Sequence, residues 1–210
     1  MPRRFSIPVR SINLKTSRRT RLLANQNQAQ EPPRRTGNPI AEIRFGSPRT
    51  ADAAHIRRLI DQCKPLDVNS TYAYLLLCHH FADTCIVARE DDRIVGFISA
   101  YVPPRTPDTL FIWQVAVHPD ARGSGLGKRM LMRLLQREAL GGVTYLETTV
   151  SPSNLPSRGM FLGLANKLNI ECREQMLFDE AAFEHESHEA EVLLKLGPMS
   201  EGHDKARGEL

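Results

Sequence analysis

The chain has 210 residues, the length of one ordinary domain with room for a tail, and at 41% hydrophobic and 25% charged residues it has the composition of a globular protein. Collagen-like, mucin-like and wholly disordered classes are thereby excluded, and the longest apolar run, Tyr72 to Cys78, falls well short of the ~18 residues that read as a membrane span. The formal charge of +4 is unevenly spread: residues 1–40 hold nine basic residues and one acid, which leaves the rest of the chain four charges negative, so an inference from basicity to nucleic acid applies to that stretch alone.

Residues 1–40 lack hydrophobic periodicity, are rich in Arg, Asn, Gln and Pro, and read as a disordered basic extension. A solvated extension, an organellar address and a nucleic-acid contact are the three readings open for it. From Glu42 the pattern changes. Ile43 to Phe45 reads as a strand, and a helix opened by Thr50 and Asp52 repeats Ala53, Ile56, Leu59 and Ile60 at helical spacing before Pro65. A second helix, capped by Asn69 or Ser70, runs through Tyr74, Leu77, Cys78 and Phe81. Thr84 to Arg89 and Ile94 to Tyr101 form a hairpin about Asp91-Asp92. Strict alternation in Thr109 to Val117 predicts a strand with Phe111, Trp113, Val115 and Val117 on one face and Ile112, Gln114 and Ala116 on the other. After a Gly-rich turn, Leu126, Met130, Leu131, Leu134 and Leu135 mark an amphipathic helix. A strand from Val143 to Val150, a helix from Asn154 to about Leu168, and strands at Cys172 to Phe178 and Val192 to Leu196 complete an α/β (α+β) order in a domain over 41–198, followed by a flexible tail over 199–210. Cys63, Cys78, Cys85 and Cys172 have neither zinc-site nor disulfide-framework spacing and read as reduced thiols of a cytoplasmic protein, with no metal expected.

The turn between strand and helix carries the most chemistry. In Arg122-Gly123-Ser124-Gly125-Leu126-Gly127 the glycines let backbone amides approach an anion, and the following helix adds the positive end of its dipole. By itself this is either a phosphate cradle or a tight strand-to-helix connection. A dinucleotide fingerprint and a P-loop are excluded, because the first Gly is missing and Lys128-Arg129 follows Gly127.

Those six residues, preceded by Val115-Ala116-Val117 and Pro119, resemble the Gln/Arg-x-x-Gly-x-Gly/Ala signature of the GNAT superfamily of acetyl-CoA-dependent N-acetyltransferases. The resemblance implies a mixed, mostly antiparallel central sheet flanked by helices. It also implies acetyl-CoA as cosubstrate, held by Arg122, Gly123, Gly125, Gly127 and Lys128 at the pyrophosphate, by the backbone of Val115 and Val117 along the pantetheine arm, and by Asn154. Four further stretches, Pro65 to Leu77, Pro107 to Val117, Leu146 to Pro152 and His188 to Pro198, resemble the diaminobutyrate acetyltransferases of ectoine biosynthesis, over roughly residues 42 to 198. This closer likeness implies acetylation of the 4-amino group of a small diamino acid by a homodimer, with no nucleic-acid or membrane partner. A GNAT enzyme acting on a protein amine or on another small-molecule amine is the alternative, and a protein acceptor would need a shallower groove.

That chemistry needs a neutral amine. An alkylammonium with a pKa near ~10 is free in about one part in 10³ at neutral pH, a cost of roughly 4 kcal/mol, so the site must remove a proton. Glu147, in the strand beside the coenzyme-bearing one, is the first candidate base, directly or through a water; otherwise it is a solvated or salt-bridged strand residue. Asp67 either caps the second helix or, as the likeness implies, holds or deprotonates a substrate amine. Trp113 offers a core residue or a cation–π surface, and Tyr72 a hydroxyl for substrate or for the core. His188 resembles a histidine of the family's C-terminal segment; Ser187 and Ala190 depart from that segment, and His185 is the substitute. Phe161 falls where many GNAT enzymes carry the tyrosine that protonates the coenzyme thiolate, so no general acid is assigned.

Overall fold

The computed structural model describes residues 42–184 and 188–200. The extension over 1–40, His185 and most of the expected tail lie outside them. Within them the periodic segments become β1 (Ile43–Gly46), α1 (Ala53–Asp61), α2 (Thr71–His80), β2 (Ile86–Glu90), β3 (Arg93–Tyr101) and β4 (Thr109–Val117). They continue as α3 (Leu126–Leu135), β5 (Tyr145–Val150), α4 (Leu155–Leu168), β6 (Cys172–Phe178) and β7 (Glu191–Leu196). Short 3-10 turns at Thr50–Asp52, Pro119–Ala121, Glu138–Leu140 and Glu180–Phe183 were not anticipated, because three or four residues carry no readable period.

The strands form one seven-stranded sheet in the order β1-β2-β3-β4-β5-β7-β6. Every pairing is antiparallel except β4–β5. This is the mixed, mostly antiparallel sheet expected. Alternation along β2 sends Ile86 and Ala88 to one face, where α3 and α4 pack with Met130, Leu131, Leu134 and Leu164. Val87 goes to the other face, against Ile56, Leu59 and Ile60 of α1 and Tyr74 and Leu77 of α2. Each such fully buried aliphatic side chain contributes about 1.5–3 kcal/mol.

Local signals set the helix ends. Ser70 is the cap of α2, its hydroxyl accepting the Ala73 amide at 3.2 Å, so neither Asn69 nor Asp67 is needed there. Asn154 caps α4 by accepting the Ser157 amide at 3.2 Å, as its place in the sequence suggests. Packing also continues past the expected boundary at residue 198: Met199 is buried in the α3/α4 core and its amide donates to the Thr144 carbonyl at 2.7 Å.

Strict alternation fails in β4. Ser99 faces Gln114 while Ala100 faces Ile112, so Trp113 is an extra residue, a β-bulge. The phase of the strand reverses there. Leu110 and Ile112 join the α3/α4 core and Val115 and Val117 pack on the same side, while Ala116 belongs to the α1/α2 core. The expected grouping of Phe111 with Val115, and of Ile112 with Gln114, is therefore wrong. One inserted residue flips every side chain after it.

Arg137, just past α3, joins layers that share no strand. Its Nη1 donates to the carbonyls of Ala82, Asp83 and Cys85 at 3.1, 2.9 and 2.7 Å, which closes the turn from α2 into β2. Arg137→Met should cost about 2–3 kcal/mol, the scale of hydrogen bonds from a charged group, read as a lowered urea midpoint with unchanged m. An unchanged midpoint would show that the turn holds without it.

Candidate active site

The β4–β5 ladder runs from Thr109↔Tyr145 to Ile112↔Thr148 and stops. Beyond it the two strands diverge, and backbone groups at the fork need other partners. The Thr148 hydroxyl donates to the Ile112 carbonyl at 3.0 Å, and the Gln114 amide donates to the Ser99 hydroxyl at 3.1 Å, all in buried positions. Gln114 also works through its side chain: Nε2 donates to the Asp67 carbonyl at 2.8 Å, and its Oε1 lies 3.5 Å from the Tyr74 hydroxyl. That hydroxyl accepts the Asn69 amide at 3.2 Å. The fork thus pins the loop that carries Asp67. None of Ser99, Gln114 and Thr148 was singled out from the sequence, although a glutamine within an otherwise apolar strand was the available signal.

A cleft of about 530 Å³ opens at the fork. All eight residues expected to meet the coenzyme line it: Val115, Val117, Arg122, Gly123, Gly125, Gly127, Lys128 and Asn154. A further stretch of the lining, Cys63 to Leu66, was not foreseen. Gly123 and Gly125 have φ of 76° and 73°, a region glycine enters without penalty. Gly125 stands at the N-cap of α3 with no side-chain cap, which leaves the first amides of that helix free for an anion. At Gly127 a Cβ would lie 2.8 Å from Met160 Sδ, so a larger residue there would make the Met160 side chain move. Two cations are partly committed to the frame: Arg122 Nε donates to the Val117 carbonyl at 3.2 Å and Lys128 Nζ to the Gly163 carbonyl at 2.9 Å. The Cys63 thiol also donates to the Val117 carbonyl, at 3.3 Å, and burial raises its pKa, keeping it a neutral thiol. Phe161 is buried in the α3/α4 core, whereas Pro156, Ser157 and its neighbour Met160 are the residues of α4 that line the cleft.

The acceptor-side candidates do not line this cavity. Asp67 follows directly on its Cys63–Leu66 wall, with a side chain 86% exposed. His188 Nε2 lies 3.9 Å from Asp67 Oδ2 and 3.8 Å from Glu191 Oε1, and its ring stacks on Phe183 with centroids 4.1 Å apart. Asp67 and His188 are therefore brought together. Glu147 stands apart from that pair: its Oε1 accepts from Lys195 Nζ at 2.8 Å, and the same ammonium lies 4.5 Å from the Tyr145 ring centroid. The salt-bridged alternative for Glu147 is thus present, through its cross-strand partner on β7. Trp113 is 44% exposed at the bulge, while Tyr72 is 68% exposed in the first turn of α2, and its hydroxyl has no partner among the described residues.

Comparison with known proteins agrees with this geometry. The profile of the acetyltransferase (GNAT) family matches residues 53–164. The chain is 48% identical to the L-2,4-diaminobutyric acid acetyltransferase of Bordetella parapertussis, over 77% of this chain and 89% of that one. It is also 48% identical to that of Virgibacillus pantothenticus, over 75% and 99%. Among solved structures, the diaminobutyrate acetyltransferase of Paenibacillus lautus, in complex with its substrate L-2,4-diaminobutyric acid and coenzyme A, superposes with a TM-score of 0.74 at 42% identity, covering 76% of this chain and 97% of that one. The chain belongs to the GNAT family of acetyltransferases and, within it, to the L-2,4-diaminobutyric acid acetyltransferases.

Proposed function

We propose that the protein transfers the acetyl group of acetyl-CoA to the 4-amino group of L-2,4-diaminobutyrate, giving N4-acetyl-L-2,4-diaminobutyrate and coenzyme A, a step of ectoine biosynthesis. The observation that carries this reading is the cleft, whose glycine turn can take a pyrophosphate and whose lining at Cys63 to Leu66 leads directly into Asp67. Its likeness to a structure solved with both diaminobutyric acid and coenzyme A supports the pairing of substrates.

Amides at Gly123 to Gly127 neutralise the pyrophosphate, aided by Arg122 and Lys128, and Asn154 closes the cleft from α4. Val115 and Val117 lie along the β4 edge that β5 has left, where backbone groups can align an amide-bearing arm. Bound acetyl-CoA supplies the acyl group and a thiolate able to leave. Asp67 and Glu147 hold the diamino acid through its ammonium groups, with Trp113 offering its ring to one of them and Tyr72 a hydroxyl. Glu147, directly or through a water, takes the proton that the 4-ammonium must lose before its nitrogen attacks the acetyl carbon and the C–S bond breaks. Lys195 keeps Glu147 compensated until the substrate ammonium arrives. The site works in the cytoplasm.

The acting species is a homodimer. β6 ends the sheet and exposes Met176, Leu177 and Phe178, an apolar edge that a second copy can cover. Light scattering should give twice the mass of the chain, and a monomer mass at micromolar concentration would refute this. Thiol release from acetyl-CoA should be strong with L-2,4-diaminobutyrate and weak with ornithine, lysine and a peptide amine; activity confined to the peptide would overturn the acceptor assignment. Glu147→Gln should bind coenzyme normally yet turn over about 10²-fold more slowly, the usual scale for a lost general base. Unchanged turnover removes Glu147 from the chemistry.

A further inference from the structure

The segment that opens β7 touches the immediate chain neighbours of two stretches of the cleft lining, Ser153 beside Asn154 and Asp67 beside Leu66. On the coenzyme side, Glu189 accepts two hydrogen bonds from Ser153, one from its amide at 3.1 Å and one from its hydroxyl. Ser153 immediately precedes Asn154, the cap of α4 and part of the cleft wall. These bonds hold the Glu189 carboxyl below its usual range, so it stays ionised as an acceptor. On the acceptor side, the preceding residue, His188, faces Asp67 and Glu191. The orientation of its ring is determined locally. Nδ1 lies 2.6 Å from the Glu189 carbonyl, which can only accept, so Nδ1 carries a hydrogen and Nε2 is the nitrogen presented to the carboxylates.

One dipeptide therefore spans from Ser153, before α4, to Asp67, just past the Cys63–Leu66 stretch of the lining. Ser153 and Glu189 are 36 residues apart, and Asp67 is more distant still, so only the fold brings the three together. The stack of Phe183 on His188 limits ring rotation but not translation of the segment; the Glu189–Ser153 pair supplies the second fixed point.

We propose that Glu189 is a positioning residue for the amine acceptor: by anchoring to Ser153 it holds His188 against Asp67 and so fixes the acceptor end of the cleft relative to the coenzyme end. This rests on the acetyl-transfer reading above. Glu189 touches neither substrate; it acts through His188. Its loss misplaces the acceptor site while leaving the glycine turn intact. A displacement near 1 Å at a reacting pair costs on the order of tenfold to a hundredfold, so the effect is measurable.

The test is initial-rate kinetics of Glu189→Ala, Glu189→Gln, Ser153→Ala and His188→Ala with each substrate varied in turn. Glu189→Ala should raise KM for diaminobutyrate by about tenfold or more and leave KM for acetyl-CoA within about twofold. Glu189→Gln keeps one oxygen acceptor and should recover part of the loss, as should Ser153→Ala, which removes the hydroxyl and retains the amide. The double variant Glu189→Ala/His188→Ala should be no worse than the poorer single one, because both act through the same contact. Unchanged diaminobutyrate KM, equal losses for both substrates, or additive effects in the double variant would each overturn the proposal. Should Glu189→Ala fail to fold, Ser153→Ala gives the same reading on a smaller scale. Wild-type protein silent with diaminobutyrate but active on another amine would overturn the acceptor reading first, and this proposal with it.

Discussion

At the fork between β4 and β5, every structural requirement follows from the cost of leaving a backbone group unpaired in a buried place. Parallel strands that separate after four paired positions would strand carbonyls and amides on both sides, at about 1–3 kcal/mol each. Polar side chains serve such groups in and around the fork: Thr148 takes the Ile112 carbonyl, Ser99 accepts the Gln114 amide at the neighbouring bulge, and the Gln114 side chain holds the Asp67 carbonyl of the adjoining loop. The divergence is thereby made stable, and a cleft of about 530 Å³ can exist beside a packed core. The same bonds tie the Asp67 loop to the coenzyme-bearing strand, so the two ends of the site share a frame.

Electrostatics at the acceptor end follow a pattern of provisional pairing. Glu147 is matched by Lys195, and Asp67 and Glu191 are approached by His188. On the proposed reading, Glu147 exchanges the Lys195 ammonium for that of the substrate, which a carboxylate already paired can do at modest cost. The coenzyme end is different: its positive character comes from helix and turn amides that belong to the backbone and cannot move away.

Much of the cleft lining was legible in the sequence, because the residues from Val115 to Lys128 form one strand–turn–helix unit whose glycines serve local geometry. Periodicity likewise located each strand and α-helix. It failed at Trp113, where an extra residue leaves composition and hydrophobicity unchanged and reverses the faces beyond it. It also missed Met199, since a single buried residue after a glycine and a proline has no period. Pairings across long separations were equally silent. Nothing near Glu147 in the chain announces Lys195, which stands opposite it only because β7 inserts between β5 and β6.

That insertion separates the two halves of the site in kind. The coenzyme cradle is made of contiguous residues and needs only β4 to meet α3. The acceptor end draws Asp67 from before α2, Glu147 from β5, and His188, Glu189 and Lys195 from the last strand and its approach, so it is complete only when β7 has closed the gap in the sheet. Contacts of such long sequence separation form at greater entropic cost and are the more readily altered by a change far from the chemistry. If the cleft holds the coenzyme as proposed, its binding rests on a short-range motif, whereas selection among amines rests on how the C-terminal strand seats against β5 and the turn before α4. On the proposed reading, the residues that seat it, Glu189 against Ser153 and Lys195 against Glu147, set acceptor geometry while lying outside the glycine turn.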